Sequence, residues 1–170
     1  MEQENVGLYL GMDISEKYTM ISIYQQHMKE PQTISTIMGS ESYQIPTALA
    51  KKKGVGQWFF GREAKVRVKS GEALGVEDLL DKARTGEEVF LEHEKYAASD
   101  LLAIFLKRVL SLAGSAQAMM PLAKLVICLD KVSVEYMELF SAIMVKLGIE
   151  TDKLLLIDRR ESFYYYALSQ

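Results

Sequence analysis

Two short apolar runs separated by a polar turn lie near the start of the chain and restrict its fold most strongly. Residues 8–12 read LYLGM and residues 20–24 read MISIY, with ISEKY at 14–18 between them. Runs of strand-forming residues on either side of a turn predict a β-hairpin. Asp13 follows the first run, so a carboxylate is expected at a strand end, where α/β proteins place ligands. The alternative is that Asp13 only accepts hydrogen bonds from amides of the turn.

The last third of the chain alternates between strand and helix patterns. Residues 124–129 and 154–157 are apolar runs typical of strands covered on both faces. Ser133 is a capping residue for a helix that ends at Gly148, and Asp158 has the capping-box spacing for a final helix. The predicted buried stripe of the first helix consists of Val134, Met137, Phe140, Met144 and Leu147.

The middle of the chain is less regular. Residues 32–37 predict a third strand, and residues 96–114 have the apolar spacing of an amphipathic helix. Residues 39–95 between them predict a small inserted subdomain of short strands and helices. Within it, residues 43–50 contain a proline and predict an edge piece, and the lysines at 51–53 predict a solvated loop.

This order of elements predicts an α/β fold. Three meandering antiparallel strands followed by two strand–helix crossovers give a five-stranded mixed sheet with helices on both faces, the ribonuclease-H-like arrangement. Right-handed crossovers place the last two strands parallel to the first, so Asp13, Asp130 and Asp158 are expected along one edge. Three carboxylates there could hold a magnesium ion. The alternatives are that Asp158 is only a helix cap and that Asp130 is only a turn residue.

Composition excludes several functional classes. The chain has 170 residues, 49% of them hydrophobic and 25% charged, which is typical of one globular domain. Its net charge of −3 gives no basic surface for nucleic acid. The single cysteine, Cys128, lies in an apolar run and is expected to be a buried thiol, without disulfide or zinc. No apolar segment is long enough to span a membrane, so the expected location is the cytoplasm.

Four segments, in order along the chain, resemble the motifs of one protein family. Residues 10–15, LGMDIS, are similar to its first phosphate motif, and residues 45–50, IPTALA, to its Pro-Ser/Thr segment. Residues 60–65, FGREAK, are similar to its Gly-x-x-Ala-Lys segment, and residues 125–168 follow its strand–helix–strand–helix pattern. The chain therefore resembles the amino-terminal half of the actin-like ATPase superfamily, in particular the DnaK-type heat-shock chaperones.

The resemblance implies roles for individual residues. Asp13 would hold magnesium-bound water; Asp130 is a candidate metal ligand only through its expected place on the same sheet edge. Ser15, Glu16 and Lys17 would face phosphate, and Lys65 would stabilise the transferred charge. Magnesium and ATP are the cofactors that this implies for the full-length protein.

Several departures from the family pattern argue against a working nucleotide site in this chain. The motif glycine is Ser15 and the small pair after it is Glu16-Lys17, whose side chains crowd an approaching phosphate. Arg160 stands near the position of the family's glutamate, and three tyrosines replace alanines in the last helix. The family binds nucleotide between two such halves, so we expect residues 1–170 to be one half-domain of a longer protein, with no cofactor bound by this half alone.

Three functional hypotheses remain at the level of sequence. The first is a degenerate nucleotide-binding half-domain that is inactive alone. The second is a non-catalytic interaction or assembly scaffold, which binds the second half of the same protein, a partner protein or another copy of the chain. The third is a ribonuclease-H-like nuclease with two metals at Asp13 and Asp130, which the acidic balance disfavours. Neither nucleic acid nor a membrane is an expected partner.

Overall fold

A computed structural model describes residues 7–37, 39–114 and 121–170 as a mixed α/β fold. The strands are β1 (Leu8–Ile14), β2 (Tyr18–Tyr24), β3 (Gln32–Thr33), β4 (Ile45–Pro46), β5 (Leu49–Lys52), β6 (Trp58–Phe60), β7 (Ala73–Val76), β8 (Glu88–Leu91), β9 (Glu94–Ala97), β10 (Leu122–Leu129) and β11 (Leu154–Asp158). The helices are α1 (Gly61–Lys69), α2 (Leu79–Arg84), α3 (Ala98–Ser111), α4 (Val134–Leu147) and α5 (Arg159–Ser169). None of these helices is long and apolar enough to cross a membrane.

The main sheet is mixed, with the strand order β11-β10-β1-β2-β3. β1 and β2 form the predicted hairpin, and β10 and β11 run parallel to β1, as the crossovers predicted. The prediction of five strands is wrong, because β4 also pairs with β2. Two contacts hold β4 there: Ile45 is buried, and the buried Thr47 and Thr19 hydroxyls are 2.8 Å apart.

One face of the main sheet carries the core. Alternate residues of β1 and β10 point to this face and pack in one cluster with the buried residues of α3 and α4. On the strands, these residues are Leu8, Leu10, Met12, Ile14, Leu125, Ile127 and Leu129. The period-two burial of β1 therefore leaves Gly11 and Asp13 on the opposite face.

Helix α4 begins and ends at the predicted residues but is rotated relative to the predicted stripe. The Ser133 hydroxyl accepts a hydrogen bond from the Tyr136 amide, and Gly148 ends the helix with φ +72°. The predicted positions Val134 and Met137 are 67% and 53% exposed. Apolar residues surround more than half of this helix, and the pairs that become buried are Leu139 with Ile143 and Phe140 with Met144.

Two predicted strands are less regular than expected. β3 is only two residues long, and in the turn that follows it the Ser35 and Thr36 hydroxyls donate to the carbonyl oxygens of Ile37 and Ser42. β11 pairs on one side only, so the prediction of a buried strand at 154–157 is wrong.

The inserted region forms two small sheets, β6-β5-β7 with α1 against it and the hairpin β8-β9. The solvated loop predicted at 51–53 is wrong for Lys51, which lies in β5 and is 5% exposed. Its ammonium group is 2.9 Å from the Glu92 carboxylate, which also accepts a hydrogen bond of 2.8 Å from the Gly54 amide. Glu92 lies at the hairpin tip with φ +57°. This one carboxylate therefore joins the hairpin to β5 and the turn that follows it.

Candidate functional site

A pocket of about 600 Å³ lies on the second face of the main sheet, between β1, β10 and α5. Its floor includes Gly11 and Asp13 of β1 and Cys128 of β10, and one wall is the side of α5 that carries Arg159 and Phe163. Cys128 is buried, as the sequence predicted, and burial raises the pKa of its thiol. The side of β1 predicted to bear function therefore borders a concave surface.

Arg159 joins the carboxylates of Asp13 and Asp130. Its Nη2 atom is 2.5 Å from Asp13 Oδ1, and its Nη1 atom donates to Asp130 Oδ1. Partial burial lowers the pKa of Arg159, but the hydrogen bond to Asp13 and the two negative charges outweigh this and raise it. The structure thus brings together two of the predicted acidic residues, and a fixed positive charge lies between them.

Asp158, the third predicted acidic residue, is used as a helix cap. Its Oδ1 atom accepts a hydrogen bond of 2.9 Å from the Glu161 amide at the start of α5. This cap sets the direction in which the helix leaves β11, and the next residue is Arg159. Asp158 therefore contributes to the site through the helix that it begins.

The turn after Asp13 is closed by its own hydrogen bonds. The Ser15 amide donates to the Tyr18 carbonyl oxygen at 3.0 Å, and the Ser15 hydroxyl bonds to the carbonyl and amide of the same residue. The Lys17 ammonium group lies 5.6 Å from the centre of the Tyr18 ring. The hydroxyl and amide of Ser15 are thus already used within the turn.

Glu16 points towards α2. Its carboxylate accepts a hydrogen bond from the Asp81 amide in the first turn of that helix. Partial burial raises the pKa of Glu16, and the nearby charges of Asp78 and Asp81 add to the increase. The hydrogen bonds from the Asp81 and Leu80 amides act in the opposite direction. This side chain therefore ties the β1–β2 turn to α2.

Lys65 lies on the exposed side of α1 and lines a different pocket. That pocket and the first one meet at Met20, the residue paired with Asp13 across β1 and β2. Lys65 and Asp13 are thus in adjoining pockets.

Sequence reasoning missed Arg159, although it singled out the neighbouring Arg160. A basic residue immediately after a capping aspartate, at the end of a strand parallel to the first, was the available signal. Within the described residues, no group of three or more histidine, cysteine, aspartate or glutamate side chains could hold a metal ion. In the Asp13–Arg159–Asp130 cluster, the guanidinium group of Arg159 is the counter-charge of both carboxylates.

Comparison with known families gives one relationship. Residues 30–170 match the model of a family described as the C-terminal region of a family of unknown function, DUF5716. The chain belongs to this family. The matched range contains Asp130, Arg159 and both adjoining helices α4 and α5, whereas Asp13 and the Ser15–Tyr18 turn precede it. A comparison with curated proteins found no match. The DUF5716 relationship thus covers most of the fold without naming a reaction.

Proposed function

We propose that this DUF5716 chain is a degenerate actin-like or heat-shock-chaperone-like half-domain that does not act as an ATPase and works through protein contacts. The strand order supports a ribonuclease-H-like fold: a β1–β2 hairpin continued by β3 on one side and two parallel strands on the other. The order and spacing of the four motifs support the actin-like relationship. We prefer the interaction-scaffold hypothesis because the residues near the end of β1 are poorly suited to bind magnesium or phosphate.

The observation that carries this proposal is the position of Arg159. A magnesium ion shared by Asp13 and Asp130 would have to compete with a guanidinium group that bonds to one oxygen of each carboxylate. A metal ion bound to the same carboxylates would lie close to the guanidinium group, and the two positive charges would repel each other. The metal would therefore have to displace Arg159. The residues present therefore do not fit a magnesium site. The same reasoning weighs against the two-metal nuclease.

The phosphate turn gives a second argument. Backbone amides bind phosphate when the chain can approach closely, which is the role of glycine in such loops. Here a serine replaces that glycine, and its hydroxyl closes the turn onto Tyr18. Glu16 next to it would repel phosphate, although its carboxylate is directed to α2. We infer that neither Ser15 nor Glu16 binds nucleotide.

Helix α5 is the surface that we assign to a partner protein. No residue of this helix is buried, and its exposed aromatic side chains are Phe163, Tyr164, Tyr165 and Tyr166. Tyrosine, phenylalanine and arginine are enriched at protein interfaces, where they supply much of the binding energy. The second half of the same protein or a separate protein would cover this helix.

Titration calorimetry with magnesium-ATP tests the proposal on the wild-type chain and on Asp13→Ala. We expect no saturable heat from either protein at millimolar nucleotide. Micromolar binding that disappears in Asp13→Ala would show that the edge still binds nucleotide, and the proposal would fail.

Arg159→Ala adds a positive test. Removal of the guanidinium leaves Asp13 and Asp130 without their shared cation, so weak binding of Mn²⁺ should appear in this variant and be absent from wild type. Water-proton relaxation detects the bound ion. Arg160→Ala is the matched control, because Arg160 has no ion pair within the described residues. Equal Mn²⁺ binding by wild type and Arg159→Ala would contradict the proposed blocking role.

A further inference from the structure

The second pocket has a volume of about 640 Å³ and shares only Met20 with the first among the described residues. Its walls are the start of β2, residues 41–46 and the exposed side of α1. Sites for small organic molecules have volumes of roughly 300–1,000 Å³. The pocket therefore has the size of a ligand site, and its lining indicates which ligand.

Two cations of α1 face this pocket. Arg62 and Lys65 are three residues apart, so they lie on one side of the helix, whereas Gly61 and Ala64 are its buried residues. Neither Arg62 nor Lys65 has an ion pair or a side-chain hydrogen bond to any residue that the structure describes. Both charges are thus available to a ligand.

Arg67 of the same helix provides the contrast. Its guanidinium is 2.6 Å from a Glu72 oxygen and 3.3 Å from a Glu63 oxygen. Arg67 does not line the second pocket and has two carboxylate partners, whereas Arg62 and Lys65 have none among the described residues. Glu41 is the one acidic residue among the described residues that line the pocket, so the lining keeps a net positive charge.

Two tyrosines supply a surface for a flat, apolar group. Tyr18 of β2 is half-buried, and Tyr43 is 37% exposed. The neighbouring Gln44 side chain adds neutral hydrogen-bonding groups. Paired cations next to aromatic rings favour a ligand that combines a negative group with a ring.

We propose that this pocket binds a small aromatic anion, a ring that carries a carboxylate or phosphate group. Arg62 and Lys65 bind the anionic group, and the ring packs against Tyr18 and Tyr43. A guanidinium matches both acids, since its planar fork can donate two hydrogen bonds to either. Asp13, Asp130 and Arg159 do not line this pocket, so the inference is independent of the proposed function.

Calorimetry or ¹H–¹⁵N NMR of the whole chain in EDTA tests the inference, with phenyl phosphate and benzoate as probes. At least one probe should bind saturably, and the tighter of the two identifies the preferred acid. Inorganic phosphate should bind at least tenfold more weakly, because it has no ring. Asp13→Ala should bind the probes as wild type does, which separates this test from that of the proposed function.

The decisive variant is Arg62→Ala/Lys65→Ala, for which we expect at least a tenfold loss of affinity. The matched control is Lys53→Ala/Lys69→Ala, which removes the same charge from two exposed positions outside the pocket and should keep the affinity. Lys65→Gln replaces the double variant if circular dichroism shows that the latter is unfolded. Three results would overturn the inference: no saturable binding of either probe, equal losses in the two double variants, or inorganic phosphate binding as tightly as phenyl phosphate.

Discussion

Arg159 offsets the repulsion between two carboxylates that lie near each other at a sheet edge. Asp13 lies near the end of β1 and Asp130 directly after the parallel strand β10, and the two would repel each other if both were charged and unpaired. One guanidinium donates to both of them from the first residue of α5. Because the three side chains remain partly exposed, this cluster contributes at most about 1 kcal/mol to stability. Its main effect is to place one positive charge between the two carboxylates.

Glu16 allows a prediction about pH. Its pKa is raised from 4.5 in the folded chain, chiefly by burial, so its contribution to stability is greatest below that pH and is lost as pH rises through the folded pKa. Glu16→Gln keeps an acceptor for the Asp81 amide but has no charge to bury. The variant should match wild type near pH 4 and exceed it near pH 7, by no more than about 1 kcal/mol because the site is partly solvated.

Urea unfolding at the two pH values measures this difference. Glu63→Gln is a suitable control, because Glu63 is an exposed carboxylate whose one ion pair among the described residues is with Arg67. A loss of stability in Glu16→Gln that is larger at pH 7 than at pH 4 would contradict the prediction.

At the scale of elements, loss of either of two N-terminal helix caps should change the global free energy of unfolding by different amounts. Ser133 caps α4, whose buried residues belong to the main core, whereas Asp158 caps α5, which buries none. Ser133→Ala should lower the global free energy of unfolding by about 0.5–2 kcal/mol. Asp158→Ala should chiefly fray α5, because that helix adds little to the core.

Urea unfolding followed by circular dichroism reports the global change, and amide hydrogen exchange reports fraying of α5. The expected pattern is a lower midpoint for Ser133→Ala and faster exchange limited to α5 for Asp158→Ala. A larger drop in global stability for Asp158→Ala than for Ser133→Ala would contradict it.

The Lys51–Glu92 ion pair should hold the β8–β9 hairpin on β5. Glu92→Gln leaves the nearly buried Lys51 ammonium without its counter-charge, so the melting temperature should fall at pH 7. The pKa of Glu92 is lowered by the hydrogen bonds from Lys51 and the Gly54 amide. Its contribution is therefore present above 4.5 and lost as pH falls through the folded pKa, where variant and wild type should converge.

A double-mutant cycle with Lys51→Met isolates the pair. Lys51→Met/Glu92→Gln should recover part of the stability lost in Glu92→Gln, because no buried charge is left unpaired. Additive losses in the double variant would mean that the two side chains act separately.

The elements that the sequence predicted well have local signals. Ser133, Gly148 and Asp158 mark helix ends through bonds to residues a few positions away, so a short window contains the cause. The edge piece predicted at 43–50 contains β4, but its partner had no local signal, because β4 pairs with the start of β2 almost thirty residues earlier. Lys51 was misplaced for the same reason, because its partner Glu92 belongs to another hairpin.

For the whole molecule, stability should depend on the core beneath one face of the main sheet. Phe140 is fully buried there, between α4 and the sheet, whereas Phe163 on α5 is 71% exposed. Phe140→Ala should cost about 3–5 kcal/mol, because it removes buried apolar area and leaves a cavity. Phe163→Ala should change stability by less than about 0.5 kcal/mol.

Chemical denaturation of both variants checks this contrast. A similar large loss for Phe163→Ala would mean that α5 is part of the cooperative core, and the assignment of α5 to a partner surface would then need revision.

The candidate site was predictable only in part. Parallel strands bring their carboxyl ends to one edge, so the closeness of Asp13 and Asp130 follows from topology. The direction of a long side chain such as Arg159 depends on the helix that carries it and on both partners, which are far apart in sequence. The roles predicted for Ser15, Lys17 and Lys65 remain predictions for ligand-binding experiments.

The parallel pairing of β1 with β10 has a consequence for how the chain folds. β1 is near the start of the sequence, and its partner lies in the last third, after the whole inserted region. During synthesis the β1–β2 hairpin therefore emerges long before the strand that completes its other side. Such distant contacts slow folding, and they leave one edge of β1 unpaired until β10 has been synthesised and has docked. The rate of folding should thus be limited by docking of β10, and the early hairpin is the segment for which a chaperone would matter.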